Sequence, residues 1–84
     1  MFYIYIIKSE EGKFYIGETD NIEKRLNQHN SKEFRGFTSG YNNWLVIYSE
    51  SFATKKEALI REKEIKSYKG GYKFKKLVNV FIAE

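Results

Sequence analysis

"KFYIGETDNIEKRLNQHN", residues 13–30, runs from an aromatic strand into a polar helix and decides the fold. Residues 14–18, FYIGE, are aromatic and β-branched and read as a strand. Asp20 then precedes NIEKRLNQHN, with Glu23 three residues on, a capping-box pattern that predicts a helix starting from Asp20. Ile22 and Leu26 are four apart and form its buried stripe. Arg25 and His29 are also four apart, so they project from one face. Arg25 adjoins Leu26, which puts it at the edge of the buried side, able to point back across the sheet.

Working outward, residues 2–8, FYIYIIK, read as another strand, and SEEGK with Gly12 is a turn of standard hairpin length. Residues 31–43 are polar and glycine-containing and form a loop. WLVIYSE, residues 44–50, is a third strand. Thr54 with Glu57 makes a second capping box, opening a helix through about Tyr68 that Gly70 and Gly71 end. YKFKKLVNVFIAE supplies a last helix, or a helix followed by a strand, because LVNVFI also has strand propensity. The order is β-β-α-β-α-α. A short hairpin forces antiparallel pairing, so residues 1–84 are expected to form one α+β domain, a small three-stranded antiparallel sheet flanked by helices.

Eighty-four residues bury only part of their surface, and 18% aromatic content, from seven Phe, seven Tyr and one Trp, supplies large apolar area per residue. With no cysteine, disulfides and cysteine-based zinc sites are excluded, and a single histidine excludes a histidine-rich metal site. Any metal is then a hard cation held by carboxylate, water and substrate oxygens. No apolar run approaches the roughly 20 residues that span a bilayer. MFYIYII lacks a basic leader and a small-residue cleavage site, so a soluble cytoplasmic protein is expected. The net charge of +4 is unevenly spread: residues 55–76 hold nine Lys and Arg against three Glu. Such clustering suits a polyanion, with Lys66, Lys69 and Lys73 as candidate nucleic-acid contacts, though a solvated lysine-rich helix has the same look.

Strand parity puts Tyr3 and Tyr5 on one face of the first strand and Tyr15 and Gly17 on one face of the second. The hairpin can gather these phenols, or they can be ordinary core residues with hydroxyls at the rim. Gly17 either admits a close approach or serves the exit turn. Arginine offers a planar fork for phosphate oxygens, and histidine can move a proton near neutral pH. On a helical wheel Glu62 falls between Ala58 and Ile65 on one side and Leu59 on the other, inside the apolar stripe. A carboxylate there needs a cation or several donors. Arg25 could supply it as an ion pair, and a divalent metal equally well. Tyrosines, an arginine, a histidine and a carboxylate around one sheet suit phosphodiester hydrolysis.

At these residues the chain resembles the GIY-YIG nuclease superfamily, most closely its small stand-alone bacterial members made of this domain alone. YIY at Tyr3–Tyr5 stands where the first family tripeptide falls, and YIG at Tyr15–Gly17 matches the second. EKRLNQHN carries the family arginine at Arg25 and histidine at His29, and the following strand and helix bring the family glutamate to Glu62. The resemblance implies a structure-selective or repair-related DNA endonuclease using one Mg²⁺ or Mn²⁺. By that analogy Tyr15 assists or performs proton removal from water and Tyr5 supports it. Arg25 holds the scissile phosphate, His29 orients or protonates, and Glu62 binds the metal. Flap or branched DNA and a protein partner or homodimer are the partners it suggests. Two positions depart: Tyr3 replaces the first glycine, and Glu18 stands where the excision-repair members carry lysine. Asn79 is the only late asparagine.

Two other readings compete. A non-catalytic nucleic-acid-binding module would use the basic helix and the loop aromatics Phe34, Phe37 and Tyr41. A scaffold protein would use an Arg25–Glu62 ion pair for stability alone.

Overall fold

A computed structural model describes residues 1–82. Its elements are β1 (Phe2–Lys8), β2 (Phe14–Thr19), α1 (Ile22–Asn30), a 3₁₀ turn (Phe37–Gly40), β3 (Leu45–Phe52), α2 (Lys55–Lys66) and α3 (Tyr72–Ile82). The expected α+β order is observed. The sheet is antiparallel with β1 in the centre, strand order β2-β1-β3.

Alternation along β1 divides the interior into two cores. Ile4 and Ile6 face α2 and α3, where they pack with Ala58, Ile65, Phe74 and Val78. Tyr5 and Ile7 face the other way and pack with Trp44, Tyr15 and the α1 pair Ile22 and Leu26. A central strand buried on both faces explains the run YIYII, which reads as nearly continuous apolar sequence. On β3 the register slips between Ile6 and Ile7: Ile6 pairs with Tyr48 and Ile7 with Val46, leaving Ile47 as the bulged residue. Ile47 and Tyr48 therefore both serve the α2–α3 core.

Several boundaries differ from the sequence reading. The N-cap of α1 is Asn21, not Asp20; the Asn21 side chain accepts from the Lys24 N–H at 3.0 Å. Thr19 explains the shift. It is still paired to Tyr3, and its hydroxyl accepts from the Asn21 N–H at 3.1 Å, which holds residue 21 in the extended region. The Thr54–Glu57 capping box forms as expected, but α2 closes at Lys66, with a turn through left-handed Lys69 and Gly70 before α3. LVNVFI is helical, so no fourth strand forms among the described residues. The polar loop contains the 3₁₀ turn, tied down by Lys32, whose ammonium donates to the carbonyls of Ser39 (3.0 Å) and Tyr41 (2.9 Å).

Trp44 lies just outside β3, fully buried. Asn30, the last residue of α1, donates to the Trp44 carbonyl (3.0 Å) and accepts its N–H (2.7 Å). This two-point clamp fixes where the loop enters the sheet. Two residues before Trp44 the loop is tied again, as Glu11 in the hairpin turn accepts from the backbone and side-chain amides of Asn42 at 3.0 and 2.9 Å. Those bonds hold the Glu11 carboxyl down at about 2.

Arg61 joins α2 to β3. Its guanidinium grips the Glu50 carboxylate with Nε at 3.0 Å and Nη2 at 2.9 Å, and Tyr48 donates to the same carboxylate. Burial pushes Glu50 up, but the Arg61 and Tyr48 bonds outweigh it and hold the carboxyl below its usual range. Among the described residues, no helix is long and apolar enough to cross a membrane.

Candidate active site

The site begins with Gly17. In the β1–β2 ladder it stands opposite Tyr5, whose phenol lies across it: a Cβ at residue 17 would fall 2.6 Å from the Tyr5 hydroxyl and 2.7 Å from Cζ. Gly17 thus serves close approach of a side chain, which decides between the two roles its sequence position allowed. Ser49 flanks Tyr5 on the β3 side, so both cross-strand neighbours are small.

The Tyr5 ring is 2% exposed, and its hydroxyl is buried rather than held at the rim. It meets His29 Nε2 at 2.9 Å. Burial above all pushes the Tyr5 phenol well up. The neighbouring Tyr15 phenol, Glu62 and Glu18 add to the rise, while Arg25 opposes it. Tyr5 therefore stays protonated, and its buried O–H has His29 Nε2 as its acceptor, which leaves Nδ1–H of His29 to donate to Thr38 Oγ1 at 2.9 Å. His29 is 3% exposed, far from an idle surface residue. Burial and the Arg25 charge push its pKa below the ordinary value of 6.5, so the ring is neutral at pH 7.

Thr38 is one residue that sequence reading missed. It sits in the 3₁₀ turn, buried, and its carbonyl accepts the Trp44 indole N–H at 3.1 Å. Its importance comes from partners nine and six residues away through the packed loop. Nothing in the local string FTSG signals it.

The His29 ring lies between Tyr15 (centroids 5.0 Å) and Phe34 (4.9 Å). Tyr15 is 6.3 Å from Tyr5. Arg25 projects from α1 beside this cluster, its guanidinium 5.3 Å from the Phe34 ring centroid. Tyr15, Arg25, His29, Phe34, Arg35 and Thr38 line a cleft of about 210 Å³, which also reaches Phe37. The sequence reading did not include Arg35, whose only local signal is its place between aromatics in EFRGF.

Glu62 approaches from α2. Its side chain is 16% exposed and pairs with Lys66 one turn on, Oε2 to Nζ 2.6 Å. The side chain is largely withdrawn from water, as expected, but it is not among the residues that line the cleft of Tyr15 and Arg25. The apolar stripe is narrower than the wheel implies: Ala58 and Ile65 are buried, but Leu59 is exposed, so Glu62 marks the edge of the stripe and not its middle. The Arg25–Glu62 ion pair does not form among the described residues. Arg25 stacks on Phe34 and Glu62 holds Lys66. The Glu62 charge adds to the rise of the Tyr5 phenol, while its ion-pair partner is Lys66. Of the other lysines, Lys69 lies in the turn after α2. Lys73 sits 5.8 Å over the Tyr68 ring in a separate groove with Tyr48 and Leu77. Asn79 is exposed on α3.

A metal can be weighed against this donor set. Among the described residues no three His, Cys, Asp or Glu side chains cluster as a cage. Glu62 is a single part-buried carboxylate, and one carboxylate suits a hard divalent cation that keeps waters and takes its remaining ligands from substrate oxygens.

The family model described as the GIY-YIG catalytic domain matches residues 1–76. A UPF0213 protein of Staphylococcus saprophyticus is 41% identical over 73 residues, covering 87% of this chain and 89% of its own length. A UPF0213 protein of Haloquadratum walsbyi is 38% identical over 66 residues, 79% of this chain and 74% of its own. The solution NMR structure of the UPF0213 protein BH0048 from Bacillus halodurans superposes with a TM-score of 0.59 at 28% identity, covering 95% of this chain and 85% of that one. With the sheet, the helix order and the YIG strand in place, the match over residues 1–76 makes the chain a member of the GIY-YIG family, a family of nucleases.

Proposed function

We propose that the chain is a divalent-metal-dependent endonuclease that hydrolyses phosphodiester bonds in DNA, with residues 1–84 acting as one domain. The observation that carries this reading is the buried Tyr5–His29 hydrogen bond at 2.9 Å, set beside a cleft that Tyr15 and Arg25 line. A core built only for stability has no need of a neutral histidine held at both nitrogens next to an arginine-lined opening.

Each residue then has a role that its position supports. Arg25, fixed against Phe34, presents its guanidinium to two oxygens of the scissile phosphate. Tyr15, the phenol lining the cleft, assists or performs removal of the proton from the attacking water. The water oxygen bonds to phosphorus, the P–O ester bond breaks, and the departing oxygen takes up a proton. Tyr5 positions His29, and His29, bonded at both nitrogens, orients the cluster, so the proton for the departing oxygen comes from solvent. Glu62 would hold the cation, Mg²⁺ or Mn²⁺, which when bound supplies charge stabilisation to the phosphoryl oxygens. Lys66, Lys69 and Lys73 give the basic surface that attracts the polyanion.

The Glu62–Lys66 pair favours a second reading, a non-catalytic nucleic-acid-binding module, because a cation must compete with the ammonium for the carboxylate. Incubation of the purified protein with Mg²⁺ or Mn²⁺ and labelled single-stranded, duplex, flap and four-way-junction DNA separates the two. Cleavage by wild type that Tyr15→Phe and Arg25→Ala abolish supports the nuclease. Salt-sensitive binding without cleavage on any substrate supports the module. Lys66→Ala with Lys69→Ala should weaken binding to all sequences alike and flatten its salt dependence.

A further inference from the structure

From the cleft outward, cations and rings alternate along one strip of surface. Arg25 stacks on Phe34, and Arg35 stands at the cleft wall. Phe37 follows, 52% exposed, 5.1 Å from Tyr41 and 6.4 Å from Trp44. Lys13 in the hairpin turn closes the strip, its ammonium 5.7 Å from the Tyr41 centroid. A phenylalanine left this exposed beside two rings is a ready stacking surface, and every base offers a π-face to it. The strip is also stiff. Lys32 ties the carbonyls of Ser39 and Tyr41, and Glu11 ties Asn42 back to the hairpin. Little ordering entropy remains to be lost when a ligand settles on it.

We propose that this strip is the track of an unpaired DNA strand leaving the cleft, a reading that rests on the nuclease assignment above. Phosphates meet Arg35 and Lys13, and one base stacks on Phe37. A duplex cannot use the strip in this way, because its base faces are covered by their neighbours. The lysine-rich α2 offers charge but has Lys66 engaged with Glu62, so it serves general attraction rather than the path of the strand.

The test measures binding in EDTA, where a metal-dependent nuclease cannot cut, by fluorescence anisotropy of labelled oligothymidylate of about 12 nucleotides and a duplex of equal length. Wild type should bind the single strand more tightly. Phe37→Ala should weaken that binding by about tenfold, with duplex binding unchanged and Phe37→Trp restoring it. Arg35→Ala should weaken it and reduce the log–log salt slope by about 0.7. Equal affinity for duplex and single strand, or a neutral Phe37→Ala, overturns the track. Cleavage by wild type together with a neutral Phe37→Ala overturns the track and keeps the nuclease. Ring-dependent single-strand binding with no cleavage under any metal keeps the track and removes the nuclease.

Discussion

Replacing Gly17 with alanine tests how the site is built. The new Cβ would meet the Tyr5 hydroxyl at 2.6 Å, Cζ at 2.7 Å and Cε1 at 3.0 Å. Carbon atoms rest about 3.5–4.0 Å apart, so the ring or the strand has to move by about 1 Å. The ring has little room, since it is buried against Tyr15 and Trp44 and its hydroxyl is bonded to His29. Overpacking of this kind costs about 1–3 kcal/mol, and a weakened hydrogen bond adds about 1 kcal/mol or less. A loss near 2 kcal/mol lowers the melting temperature of a domain this size by roughly 8–16 °C. Circular dichroism melting curves measure it, with Gly40→Ala as the control. A Cβ at Gly40 meets nothing within 4 Å, so that change should stay within about 0.5 kcal/mol. In a Tyr5→Leu background, which removes the ring, Gly17→Ala should also become nearly neutral. Equal stability of Gly17→Ala and Gly40→Ala would refute the claim that the glycine makes room for the phenol.

Thr38→Val keeps the shape but leaves the His29 Nδ1–H without its acceptor, a buried unsatisfied donor that should cost about 1–3 kcal/mol in urea unfolding. Thr38→Ser should restore most of the loss, and a Ser variant as unstable as Val would show that packing, not the hydroxyl, is at work. His29 also makes stability pH-dependent. Its folded pKa is depressed, so its contribution is complete above the unfolded value of 6.5 and is lost as pH falls from there through the folded pKa. Urea midpoints between pH 7.5 and 5 should fall for wild type and stay flatter for His29→Gln. Parallel slopes would mean that the ring is not held neutral by the fold. The depressed carboxyls of Glu11 and Glu50 act in a lower window, below the ordinary 4.5, and do not confuse this measurement.

Periodic features were readable from the residues. The hairpin, the α1 stripe of Ile22 and Leu26 and the Thr54–Glu57 cap follow from local spacing, and all form. The tyrosine parity was legible too, because a strand's period of two leaves no choice of face. Distance in sequence hid the rest. The N-cap moved from Asp20 to Asn21 because Thr19 remained bound to the sheet, a tertiary constraint that the capping pattern does not contain. The bulge at Ile47 and the clamp of Trp44 by Asn30 depend on pairing across the fold. Glu62 could be singled out as a carboxylate on an apolar face, but its partner could not. Arg25 was a plausible cation until Phe34 and Lys66 took the two ends of that pair. Thr38 and Arg35 lie in a loop with no periodicity at all, so only the assembled cleft brings them to His29 and Arg25.

The most direct test of the central claim is cleavage of the preferred DNA by Glu62→Gln beside wild type, in Mg²⁺ and in Mn²⁺, with affinity measured on the same preparations. The change removes one charge at the edge of the cluster and leaves the basic surface in place. The nuclease account predicts no detectable cleavage by the variant and DNA affinity within a few-fold of wild type. Normal cleavage by Glu62→Gln would contradict it.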